Sequence, residues 1–179
     1  MKNLIVLSLL LVGLAYSQNP YYPIYVTSDS IVRPANATAY AVNDVVNDSN
    51  STAKRFIFPY VVKPGGRSSI ILSALMEVDT ANTTNATFRL LLFTDTVGTV
   101  ADNAAWTPAH ANNDLYVGAI DFSLASNGTG TAMGESFGLN IPFHKTEGDA
   151  RLYGVLLAKG AYTPKHNGKV RIKLGILRY

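Results

Sequence analysis

The side chains that most often carry out chemistry are present in this sequence without the spacing that catalysis requires. Histidines occur at His110, His144 and His166, and none has a second histidine at the separation of a metal-binding pair. The serines have no recognisable base partner, and no two carboxylates are spaced as a general acid and base. The sequence therefore predicts a protein that is not an enzyme, with no catalytic residue, no cofactor and no metal.

An oxygen-rich segment, residues 95–114, could bind a hard cation. Carboxylate and amide oxygens are the ligands that Ca²⁺ prefers, but no EF-hand or repeat-type spacing is present here. Asn and Asp also favour turns, so we interpret the segment as a long polar loop and keep calcium as an open alternative. The oxygen-bearing residues are Asp95, Asp102, Asn103, Asn112, Asn113 and Asp114.

Several asparagines begin an Asn-x-Ser/Thr sequence, which accepts a glycan in eukaryotic secreted proteins. Such sequences also arise wherever Asn and Thr are abundant in turns. We therefore predict only that these positions lie in exposed loops. They are Asn36, Asn47, Asn50, Asn82, Asn85 and Asn127.

Aromatic residues are the first candidates for contact with a partner. The rings of Trp106, Tyr21, Tyr22, Tyr25 and Tyr40, if exposed, could stack on a sugar or pack against another subunit. The alternative is that at least half of these rings pack in the core or at a sheet edge. We predict partner contacts at Trp106, Tyr21, Tyr22 and Tyr25.

Basic residues near the C-terminus are the second candidate contact. In a strand, Lys169, Arg171 and Lys173 point to the same face. This pattern favours a solvated face that guards a sheet edge, with contact to an acidic partner as the alternative. The formal net charge of the chain is +3, too low to indicate specific nucleic-acid binding.

Composition and periodicity predict one all-β domain. The chain has 179 residues, of which 47% are hydrophobic and 15% charged, and no cysteine, so we expect one core without disulfides. Two-residue alternation recurs, whereas sustained helical periodicity does not. We predict a single β-sandwich or jelly-roll-like domain over residues 18–179, with about seven to nine strands. The predicted strands are residues 23–26, 54–62, 68–78, 87–94, 115–122, 131–137, 151–158 and 169–177.

Alternation also predicts which side chains share a face in two of these strands. Pro59 indicates that residues 54–62 form an edge strand or contain a bulge. The residues expected to share a face are Phe56, Phe58 and Tyr60 in that strand, and Ile70, Leu72, Ala74 and Met76 in residues 68–78.

A hydrophobic segment precedes the domain. Lys2 is followed by an apolar run that ends near the small residues Ala15 and Ser17, which is the pattern of a secretory signal peptide. The run is shorter than the roughly 20 residues of a membrane-spanning helix. We predict that residues 1–17 are a signal peptide. The alternative is a retained apolar arm that contacts a partner or a membrane through residues 4–16.

Five stretches of the chain follow one another in a familiar order. The first reads Arg-Pro-Ala-Asn-Ala-Thr-Ala-Tyr-Ala-Val-Asn-Asp-Val-Val and resembles an RPAxTxYxxGDVV opening, and the last two read LYGVLLA and AYTP. In order and spacing they resemble a group of small bacteriophage virion structural proteins. The matching stretches are residues 33–46, 102–108, 115–122, 152–158 and 161–164.

The resemblance implies a capsid-associated structural protein of a bacteriophage, of the decoration, penton or spike type, which is located in the virion and acts by assembly. The expected partners are other virion proteins, above all the major capsid lattice, and further copies of the chain in a homo-oligomer. No catalytic residue is carried over. The leader departs from the pattern. With Trp106 and the tyrosines it supports the alternative of a secreted or periplasmic bacterial β-sandwich that binds carbohydrate or adheres.

Overall fold

The computed structural model describes residues 23–48, 54–79, 85–126, 128, 130–145, 149–164 and 166–179. The predicted leader, its membrane-contact segment, Tyr21 and Tyr22 lie outside these residues. In this part of the chain there is one short 3-10 helix, His110–Leu115, and no helix is long and apolar enough to cross a membrane. The strands are β1 (Ile24–Thr27), β2 (Ile31–Val32), β3 (Phe56–Phe58), β4 (Ser68–Val78), β5 (Thr87–Phe93), β6 (Tyr116–Ser123), β7 (Ala125–Ser126), β8 (Ala132–His144), β9 (Leu152–Ala158) and β10 (Lys169–Arg178).

The strands form two antiparallel sheets that pack as a sandwich. One sheet has the order β1-β10-β4-β8-β7, with β2 also paired to β10, and the other has the order β3-β9-β5-β6. From β2 to β5 the chain changes sheet at every step, β5 and β6 are neighbours, and β8, β9 and β10 alternate again. This order is that of a jelly roll, which consists of two interleaved Greek keys. The predicted all-β sandwich is therefore confirmed.

Alternating apolar residues fill the space between the two sheets. β5 and β10 each bury every second side chain over most of their length, as expected for strands with one face toward the core. Burying one such side chain stabilises the fold by about 1.5–3 kcal/mol. The inward residues of these strands are Phe88, Leu90, Leu92, Val170, Ile172, Leu174 and Ile176.

The strand β3 is shorter than predicted. It lies at the edge of the four-stranded sheet, as Pro59 indicated, and it buries Phe56 and Phe58. Tyr60 adopts φ of 57° and is 72% exposed. The prediction that Tyr60 shares the face of Phe56 and Phe58 was wrong, because the strand stops before Pro59 and the left-handed residue turns its ring outward.

A β-bulge in β4 reverses the faces predicted for its first half. Ile71 and Ser73 pair with consecutive residues of β10, so Leu72 is an extra residue in the ladder. Ile71 and Ala74 are both buried, whereas Ile70 and Leu72 are partly exposed. The prediction that Ile70 and Leu72 face the same way as Ala74 was wrong, since one inserted residue shifts the alternation.

A loop covers the face of the four-stranded sheet that points away from the main core. β9 is buried along its whole length, because the main core covers one face and the segment after β5 covers the other. Val97 and Trp106 of that segment cluster with Val155 and Leu157 of β9. This second cluster explains why β9 is a continuous apolar run and does not alternate.

Candidate functional site

The first two resembling stretches meet in a buried polar network. Arg33 follows β2, and its Nη2 donates to Asp102 Oδ2 at 2.7 Å, with side-chain exposures of 2% and 0%. The Tyr40 hydroxyl donates to Asp102 Oδ1 at 2.5 Å and accepts a hydrogen bond from Arg33 Nε. The backbone N–H of Asn47 donates to the same Oδ1 at 2.9 Å. We call Arg33, Tyr40, Asn47 and Asp102 the buried clamp.

The last resembling stretch reaches the buried clamp through Tyr162. Its ring stacks on that of Tyr40 with centroids 5.0 Å apart and an angle of 14°, and Phe88 meets it edge-on at 5.1 Å. The backbone N–H of Tyr40 donates to the Tyr162 carbonyl at 2.9 Å. The buried clamp therefore ties together segments that are distant in the sequence.

The electrostatics of the buried clamp fit a structural role. Burial raises the pKa of the Tyr40 and Tyr162 phenols well above their ordinary value. Burial alone would lower the pKa of Arg33, but its hydrogen bond and ion pair with Asp102 more than offset this and leave it raised. The Tyr40 and Tyr162 phenols therefore keep their protons near neutral pH, and the hydrogen bonds of the cluster hold the loops in place.

The buried clamp also bears on the calcium alternative. Asp102 uses both carboxylate oxygens in bonds to Arg33, Tyr40 and Asn47, which leaves it a poor ligand for a metal ion. Among the described residues, no group of three or more His, Asp or Glu side chains could hold a metal ion.

Asn47 is buried with 0% exposure and bridges an interruption in the sheet edge. Its Nδ2 donates to the carbonyls of Lys54 at 3.0 Å and Val100 at 3.1 Å, and its Oδ1 accepts from the Lys54 N–H at 2.9 Å. The prediction of an exposed loop at Asn47 was wrong. Residues 44–46 and β3 lie one after the other along the same edge of β9, and the Asn47 side chain supplies hydrogen bonds in the gap between them. Of the other glycan-acceptor sequences, Asn36 is partly exposed, Asn85 is exposed, and Asn50, Asn82 and Asn127 lie outside the described residues.

Trp106 is not an exposed platform. It is 7% exposed, its Nε1 donates to the Gly98 carbonyl at 3.0 Å, and its ring meets Phe93 edge-on at 5.9 Å. The interpretation of Trp106 as an exposed stacking or contact residue was wrong, because the loop that carries it folds back over the four-stranded sheet and needs an apolar anchor there.

The remaining predicted contacts lie together on the outer face of the six-stranded sheet. Tyr25 in β1 is 76% exposed, and Lys169, Arg171 and Lys173 alternate with buried residues along β10. β10 lies between β1 and β4. The prediction that these cations guard a sheet edge was therefore wrong, although their common solvated face was predicted correctly. We call this surface the outer face.

The charges of the outer face are balanced by their neighbours. Arg171 is paired in register with Glu77, and Lys173 Nζ lies 3.9 Å from Glu77 Oε2. The backbone N–H of Lys169 donates to Asp79 Oδ1 at 2.6 Å. Cations and carboxylates thus alternate, which favours a partner of mixed charge over an acidic one.

The candidate chemical groups remain apart from one another. His110, His144 and His166 are exposed. Ser68 Oγ lies 3.2 Å from His144 Nδ1, but no carboxylate in the described part of the chain bonds to that ring. Residues 134–138 read Gly-Glu-Ser-Phe-Gly and match the letters of a nucleophile elbow, yet they lie inside the strand β8, whereas an elbow needs a turn between a strand and a helix.

An exposed ion pair on the four-stranded sheet gives a pH-dependent prediction. Asp121 accepts from Arg89 Nε at 2.8 Å and Lys159 Nζ at 2.8 Å, and these bonds, Arg89 first, lower its pKa to about 2. A depressed carboxyl pKa stabilises the fold above the unfolded pKa of about 3.9, and this contribution is lost as the pH falls toward 2. Because the Arg89 and Asp121 side chains are both almost half exposed, Asp121→Asn should lower the free energy of unfolding by about 1 kcal/mol or less at pH 6.

The measurement is urea unfolding of both proteins at pH 6 and pH 2. The difference between wild type and Asp121→Asn should have largely disappeared at pH 2, and Arg89→Gln should show the same trend. A difference that is equally large at both pH values would contradict the assignment.

No protein-family model and no curated protein matches the chain. Solved structures that resemble it include a chain of the capsid of Ralstonia phage GP4, with 15% identity, coverage of 86% of this chain and 84% of that chain, and a TM-score of 0.34. A second is the K3 cleaved adhesin domain of Lys-gingipain from Porphyromonas gingivalis, with 9% identity, coverage of 74% and 71%, and a TM-score of 0.31. A third comes from the pentamer of Israel acute paralysis virus, with 14% identity, coverage of 91% and 92%, and a TM-score of 0.33. The chain is similar to these proteins in its general β architecture.

Proposed function

We propose that the chain is a structural virion protein of a bacteriophage that is associated with the capsid and acts by assembly. The observation that carries this proposal is the buried clamp, because the stretches that resemble phage virion proteins supply Arg33, Tyr40, Asp102 and Tyr162. Arg33, Tyr40 and Asp102 are buried, and their bonds hold the shape of the domain. A fixed shape, rather than a reactive centre, is what an assembly subunit requires.

The jelly-roll strand order is a second support. Jelly rolls are found among viral capsid domains and lectins, and both classes work through surfaces. Fold alone does not define function, so the resembling stretches are what favours the virion class in this proposal. The alternative of a secreted carbohydrate-binding or adhesive module was based in part on Trp106, which is buried and no longer supports it.

The proposed contact with the capsid lattice is the charged half of the outer face. Lys169 and Arg171 project there beside Glu77 and Asp79, and mixed charges of this kind fix the register of a partner more than they add affinity. The predicted contacts at Tyr21 and Tyr22 lie outside the described residues and stay predictions. Copies of the chain in the particle follow the symmetry of the lattice.

The test is whether the chain remains with purified particles. We expect antibodies against it to detect it in particles banded on a density gradient, and Lys169→Glu/Arg171→Glu to lower the amount retained at least tenfold. Arg89→Glu, an exposed cation on the other sheet, is the matched control and should leave retention unchanged. Recovery of the wild-type chain only as a soluble monomer in the medium would rule out the proposal.

A further inference from the structure

The opposite half of the outer face contains a groove between two exposed aromatic rings. Tyr25, Gly175, Ser73 and Phe137 are cross-strand partners on four adjacent strands, so they form one row across the sheet. Tyr25 is 76% and Phe137 is 72% exposed. Three strand spacings separate them, roughly 14 Å between their backbones. The row has small residues in the middle and a ring at each end.

The floor of the groove depends on the small residues. A methyl group added to Gly175 would collide with Ser73 Oγ and lie 3.3 Å from Tyr25 Cε1, which shows that the tyrosine ring leans over the glycine. The groove has a volume of about 240 Å³. This is somewhat below the ~300–1,000 Å³ of pockets that enclose drug-sized ligands, and it suits one or two rings lying across an open surface.

The backbone is irregular at the same row. The pairing of β10 with β4 shifts next to Gly175, and the pairing of β4 with β8 shifts next to Phe137. Directly after Phe137, Gly138 and Asn140 adopt φ of 67° and 47°. Bulges are enriched beside functional sites because they re-aim side chains. Here they interrupt the regular ladder at the position where Phe137 projects from the sheet.

The next row supplies polar groups at the rim of the groove. Lys173, Leu75 and Glu135 are partners on β10, β4 and β8, so an ammonium and a carboxylate flank the groove together with the Ser73 hydroxyl. Their charges cancel, which disfavours a strongly charged ligand. Donors and acceptors beside exposed ring faces match a pyranose, whose C–H faces are apolar and whose hydroxyl groups lie at its edge.

We propose that this groove binds a neutral oligosaccharide, with pyranose rings stacked on Tyr25 and Phe137 and hydroxyl groups bonded to Glu135, Lys173 and Ser73. The inference goes beyond assembly and does not depend on it, because the proposed lattice contact lies at the other end of the outer face. Lys169 is six residues from Gly175 along β10, roughly 20 Å away.

The experiment uses the full chain on an array of neutral hexose and N-acetylhexosamine oligosaccharides, with sialylated and sulfated oligosaccharides as a charged set. Isothermal titration then measures affinity for the best-bound neutral oligosaccharide. We expect Tyr25→Ala and Phe137→Ala each to weaken binding at least tenfold, and Gly175→Ala to weaken it by obstructing the floor. Tyr60→Ala is the matched control, since Tyr60 is also 72% exposed but lies outside the groove, and should keep affinity within twofold.

Several outcomes would overturn the inference. They are no binding by the wild-type chain, binding to the charged set alone, or unchanged affinity in both groove variants while thermal unfolding shows that they are folded. Sedimentation that shows wild-type oligomers and monomeric groove variants, without any sugar binding, would instead make the groove a contact between copies. Particle retention is measured separately, so failure here is distinct from failure of the proposed assembly function.

Discussion

Asp102→Ala is expected to lower the free energy of unfolding by about 3–5 kcal/mol. The Arg33 guanidinium is 2% exposed and ion-pairs with Asp102 at 2.7 Å. Removing the carboxylate leaves the buried Arg33 charge without its counter-ion and the Tyr40 hydroxyl without its acceptor, so their desolvation is no longer offset. Urea unfolding followed by the fluorescence of Trp106, the single tryptophan, measures the loss.

Two controls make this result specific to burial. Asp121→Ala removes a carboxylate of similar hydrogen bonding from an exposed pair, and should cost about 1 kcal/mol or less. Adding Arg33→Met to Asp102→Ala should recover part of the lost stability, because it removes the orphaned charge. Equal losses for Asp102→Ala and Asp121→Ala would contradict the described burial of the clamp.

Trp106→Ala is expected to lower the free energy of unfolding by about 3–5 kcal/mol, as for other buried aromatic residues. The indole fills the space between the loop and β9, where it clusters with Val97 and Leu157. Truncation leaves a cavity and also frees the Gly98 carbonyl, which accepts from the ring nitrogen. Circular dichroism during thermal and urea unfolding measures the effect without a tryptophan signal.

The same variant distinguishes a core residue from a ligand platform. Trp106→Phe keeps most of the volume and should lose clearly less stability than Trp106→Ala, whereas Tyr25→Ala, an exposed aromatic, should stay within about 0.5 kcal/mol of wild type. A Trp106→Ala protein that is as stable as wild type but unable to bind sugar would contradict this assignment and support Trp106 as an exposed stacking residue.

Alternation was sufficient to find most of the fold. The strand predicted at residues 68–78 matches β4 at both ends, and those at residues 87–94, 151–158 and 169–177 differ from β5, β9 and β10 by a single residue at one end. Such strands have period-two patterns, or short continuous apolar runs bounded by turn residues, and both favour a strand over a helix. The sandwich followed from their number and spacing, while the order within each sheet required the structure.

The sequence pattern did not predict the local irregularities of the strands. The strand predicted at residues 131–137 ended at Phe137, whereas β8 continues through Gly138 and Asn140, which adopt positive φ, and ends at His144. Leu72 has no feature that marks it as a bulge residue. Bulges depend on the partner strand, so they are visible only when both strands are in place.

The site was predicted in part. Lys169, Arg171 and Lys173 share one face as expected. The placement of Tyr25 on the same surface and the role of Phe137 as the second aromatic wall of the groove were not predicted. The buried clamp joins Arg33 to Asp102 across 69 positions, and no local pattern signals such a pair. The available signal was that both lie in stretches resembling one protein group.

The burial of Asn47 has a practical consequence for producing the protein. Its Asn-x-Ser sequence and the signal-like leader would expose it to glycosylation during secretion from a eukaryotic host, before the chain folds. A sugar on Nδ2 would displace the bonds to Lys54 and Val100 and could not fit a side chain with 0% exposure. Bacterial cytoplasmic expression avoids this, and in a eukaryotic secretory host Ser49→Ala would remove the acceptor sequence while leaving Asn47 in place.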